Sequence, residues 1–252
     1  EAGMLTIVVW TFAAWFFGIP TSETHELVAG LAGAGLATGG PSALLWEGWQ
    51  KVLIGLGIST LVGFGLAFLI MVAIYWIFSA TSPDRVDHWF RKLQLVSAAL
   101  FSLNHGANDA QKTMGIMAGV LATAGYIAKD PFVIPTWVVL AAYTAIGLGT
   151  LSGGWRIIHT MGSRITKLQP VHGFAAETGA AGAVFLATAL GVPVSTTHAI
   201  TGSIVGVGAT RRLSAVRWGV AGRIVWAWVL TIPAAGLLGA GLGLLFRAFG
   251  IR

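Results

Sequence analysis

The sequence has no cysteine and little charge: 15 lysines and arginines against 9 aspartates and glutamates in 252 residues, or 10% in all. Without cysteine there are no disulfides and no thiolate metal sites. Soluble domains carry about 25% charge, so a soluble globular enzyme is excluded as a class. A disordered chain is excluded too, because disorder rests on polar and charged composition. No His/Glu spacing resembles a metalloprotease zinc site. The net charge of +6 does not point to nucleic acid, because the basic residues sit in short runs between apolar segments. That is the pattern of cytoplasmic membrane loops. What the chain does have is apolar surface: 56% hydrophobic residues and a mean hydropathy of +0.80. It reads as an all-α integral membrane protein with room for about eight membrane elements.

Apolar runs fall at 2–19, 21–38, 52–78, 93–128, 133–151, 171–190, 195–209 and 224–246, rich in the glycine that lets membrane helices pack closely. Pro20 and Pro193 interrupt two of these stretches, and the polar sequence Asn104-His105-Gly106-Ala107-Asn108-Asp109 interrupts a third. Polar breaks at membrane depth occur where they are buried in protein or line a wet cavity. Region 93–128 is therefore expected to be a broken helix.

The chain also repeats itself. Residues 18–25 read GIPTSETH and residues 191–198 read GVPVSTTH, with Gly, Pro, Ser, Thr and His matching at one offset of 173. Gly33 and Gly35 match Gly206 and Gly208 at the same offset. Five identities in eight positions exceed what small-residue composition produces by chance. Loop 210–223 carries Arg211, Arg212, Arg217 and Arg223, whereas its counterpart 38–51 has only Lys51 and also Glu47. The positive-inside rule then puts the two equivalent loops on opposite faces. With 79–92, 152–170 and 210–223 all inside, 171–209 must enter and leave on one face. The expected fold is an inverted-repeat secondary transporter with two re-entrant helical hairpins. Residues 1–92 form the remainder of a first inverted repeat: hairpin 1–38, helix 50–78 and cytoplasmic linker 79–92. Residues 93–252 form the second: broken helix 93–128, helix 133–151, hairpin 171–209 and helix 224–246. Arg247 and Arg252 end the last helix on the outer side, against the charge rule.

Each hairpin tip has a Pro followed by Ser and Thr at the start of a short helix. Proline suits the first turn and a hydroxyl suits the cap. The unpaired N–H groups and the dipole of such a helix favour anions. Two facing tips, with Thr21, Ser22, Thr24, Ser195, Thr196 and Thr197, therefore make a candidate site for a tetrahedral oxyanion. Asp109 and Asn108 lie in an apolar stretch, where a carboxylate is costly and usually functional. Their oxygens suit a small cation, Na+ or H+, with Gln111 and Asn104 as further candidate ligands. The plainer alternative is an Asp109–Lys112 pair at i,i+3. Glu177 is either a cation ligand or a group near the interface. Glu23 and Glu26 suit the dipole of the first short helix, although Glu23 would oppose an anion if it pointed into the site. His25 and His198 read as structural hydrogen-bond partners. His105 and His172 receive no role.

At these residues the chain resembles the inorganic phosphate transporter (PiT) family of bacterial or archaeal type. That family carries two copies of a Gly-Ala-Asn-Asp motif and two of a Pro-x-Ser-x-Thr-His motif. Gly106–Asp109 and Pro193–His198 match the second-half forms, and Pro20–His25 resembles the first-half form. The resemblance implies symport of phosphate with sodium or protons. It assigns phosphate to the Ser/Thr tips and Asp109, the cation to Asn108 and Asp109, with Na+ expected there, and a functional membrane carboxylate to Glu177; Gln111 stays a cation candidate on the residue reading above. No cofactor is implied beyond the transported ions. The partners are phosphate, a cation and a lipid bilayer, not nucleic acid, and the location is the inner (plasma) membrane, crossed several times. A homodimer stays open as an oligomeric state. Glu1 is a weak counterpart of Glu177. A sulfate/proton symporter of the same fold is the alternative, and an intramembrane serine hydrolase using Ser195, His198 and Asp109 is a distant one. The first-half Asn-Asp motif is missing, and its equivalent falls before residue 1. The chain is therefore expected to lack at least ~60 N-terminal residues.

Overall fold

The computed structural model describes residues 1–250. Arg252, expected on the outer side, lies outside these residues. The described residues form helices and no strand. In chain order they are α1 (Ala2–Phe17), α2 (Glu23–Gly39), α3 (Trp46–Ile77), α4 (Pro83–Thr123), α5 (Thr136–Ser152), α6 (Trp155–His159), α7 (Pro170–Ala189), α8 (Thr196–Arg211) and α9 (Trp218–Ala248). By length and composition α3 and α9 can each cross a membrane, and α5 with the segment to Arg164 makes a third candidate, bent by 65°. Leu61, Leu69, Val229 and Leu237 on the two long helices point outward and stay exposed. An outward apolar face of this kind suits lipid rather than water.

The duplicated motif folds the same way twice. α1 ends at Gly18 and α7 ends just before Gly191, both left-handed at φ 66°. At each end the glycine N–H reaches the carbonyl three residues back. The next N–H reaches five back: Ile19 to Ala14 and Val192 to Ala187, both at 2.9 Å. This wrapped end satisfies the last carbonyls, and glycine adopts the conformation without a Cβ penalty. Pro20 and Pro193 prevent continuation. Ser22 and Ser195, both extended, then cap α2 and α8 by accepting the N–H of His25 and His198 at 3.3 Å.

The two halves interlock. Short helix α2 packs on long helix α9, and short helix α8 packs on long helix α3. The backbones nearly touch at both crossings. A Cβ added to Gly33 would lie 1.9 Å from the Gly236 carbonyl, and one added to Gly206 would lie 2.4 Å from the Phe64 carbonyl. Small residues permit this approach, which supplies the van der Waals contact that holds helices together where water contributes little.

Two expectations fail. Region 93–128 is not a broken helix: α4 runs unbroken through the polar stretch for 41 residues. Its polar side chains find partners on neighbouring helices, so the backbone has no reason to open. The linker 79–92 is also mostly helix, since α4 begins at Pro83, where proline fits a first turn.

The crossings give a test. Gly33→Ala should destabilise the protein by about 1–3 kcal/mol through overpacking. Gly57→Ala on the open side of α3, with nothing within 4 Å of the added Cβ, should be neutral or slightly stabilising. Thermal unfolding in detergent distinguishes the two.

Candidate functional site

The two tips meet each other and α4. Thr24 Oγ1 at the start of α2 donates to the Val194 carbonyl in the second tip at 3.2 Å. The His25 and His198 rings lie edge to face, 4.8 Å between centroids. His198 also lies against Trp228, whose indole N–H donates to the Pro20 carbonyl at 3.0 Å. Among the described residues, His25 Nδ1 and both ring nitrogens of His198 have no hydrogen-bond partner. These histidines therefore serve the tip junction by packing and not, as expected, as hydrogen-bond partners.

Asp109 stands at the junction, 8% exposed. Its Oδ2 receives the Thr196 hydroxyl at 3.0 Å and His105 Nδ1 at 2.9 Å. Its Oδ1 receives the Asn108 amide at 2.9 Å and the Lys112 ammonium at 2.7 Å. The same ammonium donates to Thr24 Oγ1 at 2.8 Å and to the Val194 carbonyl at 2.9 Å. All three Lys112 protons are thus used, one on the acid and one on each tip. Residues 105, 109 and 112 share a face of α4 because they are spaced by four and three. This is the i,i+3 pair set out above as the plainer reading of Asp109, with a wider role. Helix starts α2 and α8, four hydroxyls and one lysine converge here, so the region offers donors to an anion.

The remaining sequence candidates divide. Ser22, Ser195, Thr24, Thr196, Asn108 and Asp109 are at the junction and buried. Thr197 is half-buried, and its carbonyl accepts the Thr201 hydroxyl at 2.7 Å. Thr21 turns away, donating to Glu26 Oε1 at 2.5 Å. Gln111 is exposed, two residues beyond Asp109 and so on another face of α4. Asn104 is used as a strut, donating to the Ala181 carbonyl at 3.3 Å. Glu177 accepts the Ser97 hydroxyl at 2.5 Å. Ser97 precedes Asp109 by twelve residues, roughly 18 Å along the helix, so Glu177 does not join the cluster. Glu23 is near enough to act on Asp109, His105 and Lys112 by charge. His105 and Lys112 were not foreseen as site residues. Their i−4 and i+3 spacing from Asp109 was the available signal. No Ser195–His198–Asp109 relay exists: Ser195 bonds the His198 backbone, and Asp109 pairs with His105.

A model of the phosphate transporter family matches residues 2–83 and 78–239. A relative from Rhizobium meliloti (strain 1021) is 55% identical over 239 residues, 95% of this chain and 71% of its own length. One from Bacillus subtilis (strain 168) is 43% identical over 241 residues, 95% of this chain and 72% of its own. Both are named "Probable low-affinity inorganic phosphate transporter". A solved structure, "The sodium-dependent phosphate transporter", is similar in fold at a TM-score of 0.84 and 24% identity, covering 98% of this chain and 78% of that one.

Removing one partner from a buried pair leaves the other charge uncompensated. Lys112→Met should therefore cost about 3 kcal/mol of stability, and Lys112→Met with Asp109→Asn should recover most of it. Denaturant unfolding of the single and double variants in detergent measures both.

Proposed function

The chain belongs to the phosphate transporter family, whose members are transporters and not enzymes, and on that premise we propose that it carries inorganic phosphate across a membrane in symport with a cation, Na+ or H+. The observation that carries the reading is Lys112, whose ammonium is shared between Asp109 and both tips.

An ammonium can neutralise Asp109 or a bound phosphate, but not both fully. Without phosphate it stays on Asp109. Phosphate entering between the tips meets the first N–H groups of α2 and α8 and the hydroxyls of Ser22, Thr24, Ser195, Thr196 and Thr197, and it draws Lys112 toward itself. Asp109 is then left as a buried carboxylate, which is costly unless a cation replaces the lysine. Na+ or a proton at Asp109, helped by Asn108, completes a neutral set. Anion and cation are thus linked through one side chain. Thr21, Gln111 and Glu177 would join only after a rearrangement, Thr21 by turning back from Glu26.

The membrane arrangement proposed is the inverted one. Residues 1–92 and 93–252 are oppositely oriented halves in the inner (plasma) membrane, crossed several times. Hairpins 1–38 and 171–209 enter from opposite faces and meet near the midplane. The matching turns at Gly18 and Gly191 and the crossed packing of α2 on α9 and α8 on α3 support this symmetry. Alternating access then follows from rocking of one half against the other.

Asp109→Asn should abolish cation-coupled phosphate uptake into proteoliposomes while the protein still inserts and folds. Unchanged dependence on sodium and pH in that variant contradicts the assignment. Ser195→Ala should weaken phosphate binding by about 1.5–3 kcal/mol, the worth of one donor to a charged acceptor, as read by calorimetric titration.

A further inference from the structure

Glu26 is 1% exposed, among the most deeply buried large side chains of the protein, and the Asp109 cluster makes no use of it. It lies on α2, one turn past the Ser22 cap. Its Oε1 accepts the Thr21 hydroxyl at 2.5 Å and its Oε2 accepts the Thr11 hydroxyl of α1 at 2.6 Å. Both distances are short, as in strong O–H···O bonds to a carboxyl group. Yet no cation answers it: no Lys, Arg or His nitrogen lies within 4.0 Å among the described residues. Of the elements packed on α2, α1 offers only Glu1 at its far end. α9 offers Arg223 and Arg247, neither within that distance, and the turn Pro41–Ala43 offers nothing charged. Across the tip junction are Lys112, already used three times, and His25 and His198. The charge that acts on Glu26 is Glu23, of like sign. The repeat places Ala199, fully buried, at the equivalent position, so this acid belongs to one half only and is no part of a symmetric anion site.

A buried carboxylate without a counter-charge calls for a cation that comes and goes. Hard metal ions take six or more oxygen ligands, whereas Glu26 has two hydroxyls beside it, and no group of three or more His, Asp or Glu side chains that could hold a metal occurs among the described residues. A proton does fit. Thr21 gives Glu26 its opening to a mostly apolar cavity of about 690 Å³, whose other polar lining residues include Thr160, Arg164 and Arg223. Thr21 is also the residue between Pro20 and the Ser22 cap, so it belongs to the first tip.

We propose that Glu26 is a proton-binding site that controls, through the Thr21 hydroxyl, the donor set of the first tip. This rests on the tips being the phosphate site. With Glu26 ionised, the Thr21 O–H is held on the carboxylate. A proton arriving from the cavity forms the O–H of a carboxylic acid, and the Thr21 hydroxyl loses its anionic acceptor. It then turns to the tip and donates to bound phosphate. Loss of the proton to the cavity reverses each step. Proton and phosphate binding favour one another, as linkage requires.

The test is phosphate affinity by calorimetry, from acid to alkaline pH, for the full chain in detergent. Three proteins are compared: wild type, Glu26→Gln and Thr21→Val. Phosphate's own protonation affects all three alike and cancels in ratios. Glutamine is neutral at every pH, so it stands in for the protonated acid and takes up no proton. The ratio of wild-type to Glu26→Gln affinity should change by roughly 10- to 100-fold across the titration, the worth of one donor to a charged acceptor. Thr21→Val should lose the same pH-dependent increment. A ratio constant with pH overturns the proposal, even if both proteins bind phosphate well. Infrared titration adds a readout independent of phosphate: a protonated-carboxyl band that disappears as pH rises in wild type and is missing in Glu26→Gln. If wild type binds no phosphate at any pH, the transport reading fails, and the infrared band still decides whether Glu26 takes the proton. If Glu26→Gln does not fold, Thr21→Val and the wild-type band decide, and absence of that band overturns the proposal.

Discussion

A carboxylate inside an apolar bundle must be neutralised and hydrogen-bonded, and the junction is organised around that requirement. Asp109 takes four donors, from Asn108, His105, Lys112 and Thr196. Three come from its own helix and one from the second tip. Lys112 in turn donates to one oxygen of each tip, Thr24 Oγ1 and the Val194 carbonyl, which are themselves hydrogen-bonded to one another. The salt bridge is thus also the joint between three elements distant in sequence. A buried ion pair adds little net stability over an apolar contact of the same shape. Its merit here is that the lysine has more than one place to go.

The glycines determine where that joint sits. Gly33 against Gly236 and Gly206 against Phe64 bring backbones together at two crossings. Bulkier residues there would push α2 and α8 away from α9 and α3, and the tips would no longer reach the α4 face. The same logic appears at Gly179, where an added Cβ would lie 2.7 Å from Ala67.

Much of this was legible in the sequence, and the parts that were not share a cause. The Gly-x-Pro-x-Ser repeat carried its own turn chemistry. Its two copies were readable because glycine, proline and a hydroxyl cap fix local geometry whatever surrounds them. The apolar runs gave most helix positions to within a few residues, but α3 and α9 begin six residues before their runs, α6 lies in a segment read as a loop, and at Pro83 a charged segment read as a linker is the first turns of a helix. The polar stretch 104–109 was misread as a backbone break because polarity alone does not tell whether the side chains will find partners across space. Asn104 bonding Ala181 and Asp109 bonding Thr196 are tertiary facts. For the same reason Lys112 appeared only as a local pair, and Thr21 was grouped with the tip hydroxyls although it faces Glu26.

The crossed packing also bears on how the molecule comes into being. Helix α2 is complete once residue 39 has been made, but its packing surface on α9 arrives some two hundred residues later. Until then α2 waits in the membrane with its glycine face uncovered, and α3 waits likewise for α8. Contacts so remote in sequence close late. Assembly is therefore a matter of later helices locking what the earlier ones have only prepared, and nascent chains stalled before α9 present an unfinished surface to the quality-control machinery of the bilayer.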